Sequence, residues 1–338
     1  MRAIALQAQF GLEHLALVER PTPEPGPGQV RVDVKAASIN FRDLMMVRGL
    51  YNPRQPLPLI PGSDGAGVVS AVGEGVSRVR VGDRVAGIFA QRWLAGPAPA
   101  DVQASTLGGP LDGMLAEQVV LDAEGVVPIP DGLDFEQAAC LPCAAVTAWH
   151  AIVEHARLAP GARVLLQGTG GVSLFALAFA RAAGAEVTLI SSSDEKLARA
   201  RELGATHTLN YRQQPDWGRA VAGLTDGQGV DHVVEVGGAG TLGQSLQAVA
   251  PGGRISVIGV LSGVKTELEL TRVLMRGVQL QGIFVGSRAM FAAMNRAIAL
   301  HRIRPVIDRV FPLAQTRAAL EHMAAGAHFG KIVLRVAD

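Results

Sequence analysis

The sequence predicts an α/β protein in which an antiparallel β region is followed by a doubly wound parallel sheet. Two observations carry this prediction. The early chain alternates apolar and polar residues, as in residues 28–36, which is typical of strands with one solvent-exposed face. From about Asp122 onward, near-continuous apolar strands alternate with helices, and this order is typical of parallel sheets that are covered on both faces.

The composition fits a large folded protein and disfavours several classes of function. The chain has 338 residues, 49% hydrophobic and 18% charged, with a formal net charge of +1. A chain of this length normally divides into two domains. The sequence has no basic patch, so we expect no nucleic-acid partner. It has no apolar stretch that suits a signal peptide or membrane span, and its two cysteines fit a reducing compartment, so we expect a cytoplasmic protein without membrane association.

The individual elements follow from local patterns. In the first region, strands are predicted at 28–36, 67–71, 84–88 and 116–121, with a Gly/Pro-rich excursion at 95–113. In the second region, helices are predicted at 135–154, 174–183 and 194–203, and strands at 186–190, 231–236, 254–260 and 279–285. A helix at 288–300 and a strand at 331–336 follow, and we expect that last strand to return to the first domain.

A glycine turn joins a buried strand to an apolar helix within residues 162–173. Gly168 permits a tight turn, Gly170 lets the backbone approach phosphate oxygens, and the first helical amides offer positive partial charge to an anion. Ser173 stands at the third glycine position of this fingerprint. With the next strand the turn forms a βαβ unit, which predicts a dinucleotide site. The predicted pyrophosphate contacts are Gly168, Thr169, Gly170, Gly171 and Val172.

The end of the second strand of that unit distinguishes NAD from NADP. A carboxylate there selects NAD, whereas a cation accommodates the 2′-phosphate of NADP. Ser192 and Ser193 occupy this position and Lys196 follows one turn later, while the nearest carboxylate, Asp194, fits a helix cap. NADP(H) is therefore the predicted cofactor. Two other interpretations stay open, namely that Ser193 only caps a helix and that Lys196 is only a surface charge.

Several motifs in order resemble the medium-chain dehydrogenase/reductase superfamily, in its branch of quinone-oxidoreductase-like and zinc-type alcohol-dehydrogenase-like proteins. They are NFRD at 40–43, PGSDGAG at 61–67, VGEGV at 72–76, GDRV at 82–85, LPCAAVTA at 141–148, the glycine turn, GG at 237–238 and FGKIV at 329–333. The resemblance implies a GroES-like β-rich catalytic domain formed by residues 1–121 and 287–338. It also implies a Rossmann domain over 122–286 and hydride transfer in the cleft.

The resemblance implies further cofactor contacts and a quaternary structure. Thr147 is expected near the nicotinamide, Tyr211 near the 2′-phosphate, and Lys331 at the closing side of the cleft. Further contacts are expected at the ends of the parallel strands, namely Val236, Gly237, Ile258, Gly259, Ile283, Phe284 and Val285. The apolar ones fit an ordinary core equally well. The superfamily commonly forms dimers or tetramers, often by pairing the last Rossmann strand, so a homodimer or homotetramer is expected.

The zinc ligands of zinc-dependent relatives are largely replaced. Asn40, Ser63 and Asp64 stand where those relatives have a cysteine, a histidine and a glutamate, and only Cys143 remains a good ligand. A catalytic zinc needs three protein ligands, so the sequence predicts no metal. Cys140 and Cys143 form a C-x-x-C pair, which we interpret as two buried thiols.

Without zinc, hydrogen-bond donors must stabilise negative charge on the substrate oxygen when hydride arrives. The candidate donors are Asn40, Arg42 and Tyr51, and Asp43 is the candidate that would orient Asn40 or Arg42. Each has a structural alternative, since Asn40 could only turn the chain, Arg42 and Asp43 could form an ion pair, and Tyr51 could pack.

The predicted function is NADPH-dependent reduction of a small, mostly apolar carbonyl or conjugated carbonyl compound, such as a quinone, enone, aldehyde or ketone. The residue types in segments 41–58 and 88–113 favour such a substrate. Three alternatives remain open at this point. They are a zinc alcohol dehydrogenase with unusual ligands, an enoyl thioester reductase, and an NADPH-binding protein without turnover.

Overall fold

The computed structural model of the protein describes residues 1–337 and divides the chain into two compact units. Unit 1 comprises Met1–Val146 together with the chain from Val285 onward, and unit 2 comprises Thr147–Phe284. Residues 122–146, assigned to the second domain from the sequence, therefore belong to unit 1 by their contacts. Within residues 1–337, no helix combines the length and the apolar character needed to cross a membrane.

The secondary structure follows the predicted order. The strands are β1 (Arg2–Leu6), β2 (Leu15–Glu19), β3 (Gln29–Ile39), β4 (Asp64–Val72), β5 (Arg84–Gly87), β6 (Gln118–Asp122), β7 (Val126–Pro128), β8 (Arg163–Gln167), β9 (Glu186–Ser191), β10 (His207–Asn210), β11 (Val230–Glu235), β12 (Val249–Val257), β13 (Gln279–Gly282), β14 (Ile307–Pro312) and β15 (Lys331–Arg335). The α-helices are α1 (Phe41–Val47), α2 (Phe135–Ala139), α3 (Val146–Trp149), α4 (Gly171–Ala182), α5 (Asp194–Glu202), α6 (Trp217–Gly223), α7 (Leu242–Ala248), α8 (Leu270–Arg276), α9 (Arg288–His301) and α10 (Thr316–Ala324).

Unit 1 is built on a mainly antiparallel sheet with the strand order β14-β15-β3-β4-β5-β7, in which β6 also pairs with β3. Strand β3 pairs antiparallel with β4, β6 and β15, so it is the centre of the sheet. Its alternate residues Val30, Val32 and Val34 are buried in the main apolar core of the unit. Because β15 pairs with β3, the end of the chain returns to the first sheet, as the sequence predicts.

Unit 2 contains a parallel sheet with the strand order β10-β9-β8-β11-β12-β13. Counted from β8, this is the order 3-2-1-4-5-6 of a doubly wound dinucleotide-binding fold. The apolar strands are buried because helices cover the sheet; Leu165, Val233 and Ile255, for example, are fully buried in one core. The predicted α/β fold class, a β-rich unit plus a doubly wound parallel sheet, is confirmed.

The main local difference from the sequence prediction lies in residues 135–154, which form an interrupted helix. A π-helical turn at Leu141–Ala145 separates α2 from α3, and a second π-helical turn occupies His150–His155. Pro142 lies within the first turn, and proline lacks the N–H and the space that a regular α-helix requires.

Candidate active site

The glycine turn of unit 2 has the geometry expected of a phosphate-binding turn. Gly168 has φ +72°, a left-handed conformation that favours glycine. Gly170 precedes α4 and provides no side chain to cap the first helical amides. A Cβ at either glycine would meet no atom within 4 Å, so the space above the turn is open. Ser173 donates a hydrogen bond of 2.6 Å from Oγ to the carbonyl of Gln167, which holds the helix against the end of β8.

The predicted cofactor contacts of unit 2 follow the carboxyl ends of its parallel strands. Those ends share one edge of the sheet, where open α/β folds bind their ligands. The residues concerned are Gly168, Thr169, Gly170, Gly171 and Val172 after β8, Ser192 and Ser193 after β9, Tyr211 after β10, Val236 and Gly237 after β11, Ile258 and Gly259 after β12, and Ile283 and Phe284 after β13. Thr147 lies apart from them on α3, and Val285 begins the second segment of unit 1.

Polar side chains surround the end of β9. The Oγ of Ser193 accepts a hydrogen bond from the backbone N–H of Lys196 at 3.3 Å, so Ser193 is the N-cap of α5. This is the structural role that the sequence left open for Ser193. The Asp194 carboxylate accepts hydrogen bonds of 2.8 Å from the amides of Asn210 and Gln213. Two amides therefore hold the carboxylate closest in sequence to the strand end.

Sequence reasoning missed the buried residue that organises this edge of the sheet. Glu235, at the end of β11, is fully buried, and its carboxylate accepts hydrogen bonds from the Gln167 and Ser245 side chains. It also accepts the Thr241 hydroxyl and the backbone N–H groups of Gly237 and Gly238, the latter two at 2.8 and 2.9 Å. The available signal was a charged residue directly after the apolar pair Val233 and Val234 and before Gly237 and Gly238.

Unit 1 contains a polar cluster formed by the buried residues Ser63, Asp64 and Lys331 and the partly buried Asn40. The Lys331 ammonium lies 2.6 Å from Asn40 Oδ1, 2.9 Å from the carbonyl of Ile39 and 3.7 Å from Asp64 Oδ2. Ser63 donates from Oγ to Asp64 Oδ1 at 2.7 Å, and Asn40 Nδ2 lies 3.4 Å from the same Oγ. The ammonium predicted to contact the cofactor thus has its acceptors within unit 1.

Arg42, Asp43 and Tyr51 form a neighbouring group. The Arg42 guanidinium lies between the rings of Tyr51 and Phe89, 5.0 and 4.9 Å from their centroids, and it donates to the carbonyl of Leu107 at 2.8 Å. It pairs with Asp43 at 3.5 Å. Asp43 accepts the backbone N–H of Asn40 at 2.7 Å, and burial raises the pKa of this carboxyl to about 6. These contacts agree with the structural alternative for Arg42 and Asp43, which is an ion pair between the two side chains.

The two cysteines lie in the interrupted helix of unit 1. Burial raises the pKa of Cys140 to about 12, and burial together with the Asp64 carboxylate raises the pKa of Cys143 further. Cys143 also donates its backbone N–H to Asp64 Oδ2 at 3.2 Å. Without a metal, both side chains are therefore thiols at neutral pH. Cys140 is buried as expected, whereas Cys143 is only partly buried.

The comparisons with known proteins agree with this architecture. The profile of the alcohol dehydrogenase GroES-like domain matches residues 26–131, and that of the zinc-binding dehydrogenases matches residues 171–299. A zinc-type alcohol dehydrogenase-like protein of Schizosaccharomyces pombe is 46% identical over 96% of each chain. The chain belongs to the medium-chain dehydrogenase/reductase superfamily.

Other members of the superfamily resemble the chain over nearly its full length. A quinone oxidoreductase of Pseudomonas aeruginosa is 34% identical over 98% of this chain and 99% of the relative. The solved structure of an NAD-dependent alcohol dehydrogenase is 36% identical and superimposes with a TM-score of 0.91 over 100% of both chains. The protein is accordingly an oxidoreductase of the alcohol dehydrogenase and quinone oxidoreductase type, whose members bind a nicotinamide cofactor.

Zinc-dependent members of the superfamily provide a test for the polar cluster of unit 1. Zinc ligation takes three side chains with sulfur, imidazole or carboxylate donors. The cluster offers the neutral Asn40 and Ser63, the Cys143 thiol and the Asp64 carboxylate, and the Lys331 ammonium lies 3.7 Å from that carboxylate. Among residues 1–337, no group of three or more His, Cys, Asp or Glu side chains has an arrangement that could hold a metal. These donors do not fit a catalytic zinc.

Proposed function

We propose that the protein is an NADPH-dependent reductase that transfers hydride to a carbonyl or conjugated carbonyl compound without a metal. One observation carries the metal-free part of the proposal. The ammonium of Lys331 lies among Asn40, Ser63 and Asp64, the positions that carry metal ligands in zinc-dependent relatives. A buried ammonium beside a buried carboxylate makes the charge of this cluster nearly balanced without a divalent cation.

The choice of NADPH over NADH depends on the end of β9. Tyr211 is 39% exposed and its backbone N–H donates to the carbonyl of Ser191, so this residue follows β10 next to the end of β9. Ser192 can donate to a 2′-phosphate and Lys196 can neutralise it, whereas the Asp194 carboxylate is already bonded to two amides. The NAD-dependent relative supports the opposite choice, so NADH is the second candidate.

The residues of each unit would act in different ways. When bound, the cofactor supplies a hydride from C4 of its nicotinamide. The amides of Gly170, Gly171 and Val172 would hold the pyrophosphate at the start of α4. The Nδ2 of Asn40 would donate a hydrogen bond to the acceptor oxygen as negative charge develops on it. Tyr51 is 47% exposed beside Arg42 and is the candidate second donor.

The proposed substrate is a small, mostly apolar molecule. The segments that would contact it contain buried aromatic residues, including Phe89 and Trp93, both 2% exposed. The two buried cations of this region are both engaged: Arg42 with Asp43 and backbone carbonyls, and Lys331 with Asn40 and the carbonyl of Ile39. A substrate with a strong negative charge would therefore find neither of these cationic side chains available to bind it.

We also propose a homodimer or homotetramer that is assembled through β13. All residues of this edge strand are exposed, so its backbone groups can pair with those of a second copy. Apolar side chains in the segment of chain that leads into β13 are exposed as well, with Val264 at 76%, Leu270 at 69%, Leu274 at 77% and Met275 at 81%. A cluster of this kind is typical of a protein interface.

An acceptor panel assayed with NADPH and NADH in parallel tests the proposed reaction. We expect NADPH oxidation with a quinone, an enone or an aldehyde. The rates should be the same before and after chelation, with the metal content measured in both samples. Stoichiometric zinc that is needed for turnover would establish the zinc alcohol dehydrogenase alternative. Reduction of only the C=C bond of an acyl thioester would favour the enoyl reductase, and NADPH binding without oxidation of any acceptor would favour a protein without turnover.

A further inference from the structure

The orientation of the Asn40 carboxamide is fixed by chemistry. An ammonium has three N–H donors and no acceptor, so the Asn40 atom that lies 2.6 Å from Lys331 Nζ must be the carbonyl oxygen. The amide nitrogen then points away from Lys331. Flipping the carboxamide would place its NH2 group against the ammonium, donor against donor, in a buried position.

Ser63 leaves one amide hydrogen available. Its Oγ donates to Asp64 at 2.7 Å and lies 3.4 Å from Asn40 Nδ2, so a single N–H of that nitrogen can face the hydroxyl. Within the described residues 1–337, no second acceptor is bonded to Asn40 Nδ2. The remaining N–H is therefore free to bind an oxygen that does not belong to this chain.

We infer that Lys331 is a positioning residue, which holds the Asn40 carboxamide so that Nδ2 donates to the acceptor oxygen of the substrate. The inference rests on the proposed reductase function. It differs from the cofactor contact that the resemblance implies for Lys331, because the ammonium is bonded to Ile39 and Asn40 and lies near Asp64. Its consequence is that Lys331 affects the rate of hydride transfer through Asn40, with little effect on cofactor binding.

A double-mutant cycle tests this role. Lys331→Met alone leaves Asp64 buried without its cation and can fail to fold, so the variant is Lys331→Met with Asp64→Asn, which removes both charges. We expect this paired variant to lower kcat about 30-fold, because the Asn40 donor is no longer oriented. We expect Asn40→Ala to lower kcat about 100-fold, because the donor itself is removed. In the Asn40→Ala background, removal of the charge pair should change kcat less than about threefold.

Binding and control measurements complete the test. The Kd for NADPH, measured by fluorescence, should stay within about twofold in every variant. Lys35→Met, a lysine substitution on β3, should leave kcat unchanged. Three results would overturn this inference but leave the proposed reductase function standing. They are equal losses of kcat in both backgrounds, an unaffected Asn40→Ala enzyme, and a weakened NADPH Kd at unchanged kcat. A wild-type enzyme without turnover would overturn the proposed function, and this inference with it.

Discussion

Gln167 and Glu235 join two neighbouring strands directly behind the glycine turn, with Gln167 Nε2 2.8 Å from the Glu235 carboxylate. Gln167 ends β8 and Glu235 ends β11. The Gln167 carbonyl also accepts the Ser173 hydroxyl, and its side-chain oxygen lies 3.2 Å from the backbone nitrogen of Val236. The backbone and side chain of Gln167, together with Glu235, thus link the end of β8 to the first turn of α4 and to the loop after β11.

Glu235→Gln should destabilise the protein and weaken cofactor binding. Every group around the Glu235 carboxylate is a donor, so the NH2 group of a glutamine would face a donor on one side. We expect a loss of about 3 kcal/mol in the free energy of unfolding, measured by urea denaturation. Gln228→Glu, on the surface of the same unit, is the control. An unchanged midpoint for Glu235→Gln would show that the donor shell has no energetic importance.

Lys196→Ala should raise the KM for NADPH far more than the KM for NADH. The side chain starts from the first turn of α5, after the strand end where the 2′-phosphate that NADH lacks is expected. We expect an increase of about tenfold for NADPH and less than twofold for NADH, by steady-state kinetics. The exposed Lys265→Ala is the matched control. Equal increases for both cofactors would mean that Lys196 does not recognise the phosphate.

Asp43→Asn should change how stability depends on pH. The pKa of Asp43 is about 6 in the folded protein, above its ordinary value of 3.8, so folding favours the protonated form. The stability that this group contributes is complete below about pH 4 and is lost as pH rises through about 6. The Tm of Asp43→Asn relative to wild type should therefore increase between pH 4 and 7.

The control for this prediction is Asp101→Asn, because Asp101 is an exposed carboxylate that also pairs with an arginine. The Tm change that Asp43→Asn develops over this pH interval should exceed the change measured for this control. A constant difference for Asp43→Asn would contradict the raised pKa.

Leu274→Glu should disrupt the proposed assembly. Leu274 is 77% exposed on α8, beside the edge strand β13, and a charge there would be costly to bury in an interface. We expect light scattering with size exclusion to give the mass of a smaller species than for wild type. Leu300→Glu, also 77% exposed but on α9, should leave the mass unchanged. A monomeric wild-type protein would refute the assembly itself.

The elements that could be predicted from the sequence are those whose signals are local. The strand predicted at 186–190 is observed at Glu186–Ser191, because its apolar run is a local signal. The helix predicted at 194–203 is observed at Asp194–Glu202, because its capping residue Ser193 lies directly before it. The interruption of the helix at 135–154 was missed, although Pro142 was a local signal for it.

The contacts of the candidate site could be predicted only in part. Asn40 was singled out because of its place in a motif, and it caps α1 locally, but its contact with Lys331 joins residues that are 291 positions apart in sequence. The Glu235 cluster likewise depends on Gln167, 68 residues away. Local patterns contain no information about such pairs, since only the order of the strands in the folded sheets brings them together.

Transfer of deuterium from NADPH labelled at C4 tests the central claim most directly. The protein would first be freed of metal by chelation and its zinc content measured. The product of an enone or aldehyde would then be analysed by mass spectrometry, since a C–D bond formed on the product carbon persists. We predict one deuterium on carbon in the product, from one face of the nicotinamide only, at a rate that added zinc does not change. Label that stays in the cofactor for both the 4R and the 4S deuterated forms, or transfer that needs added zinc, would contradict the account.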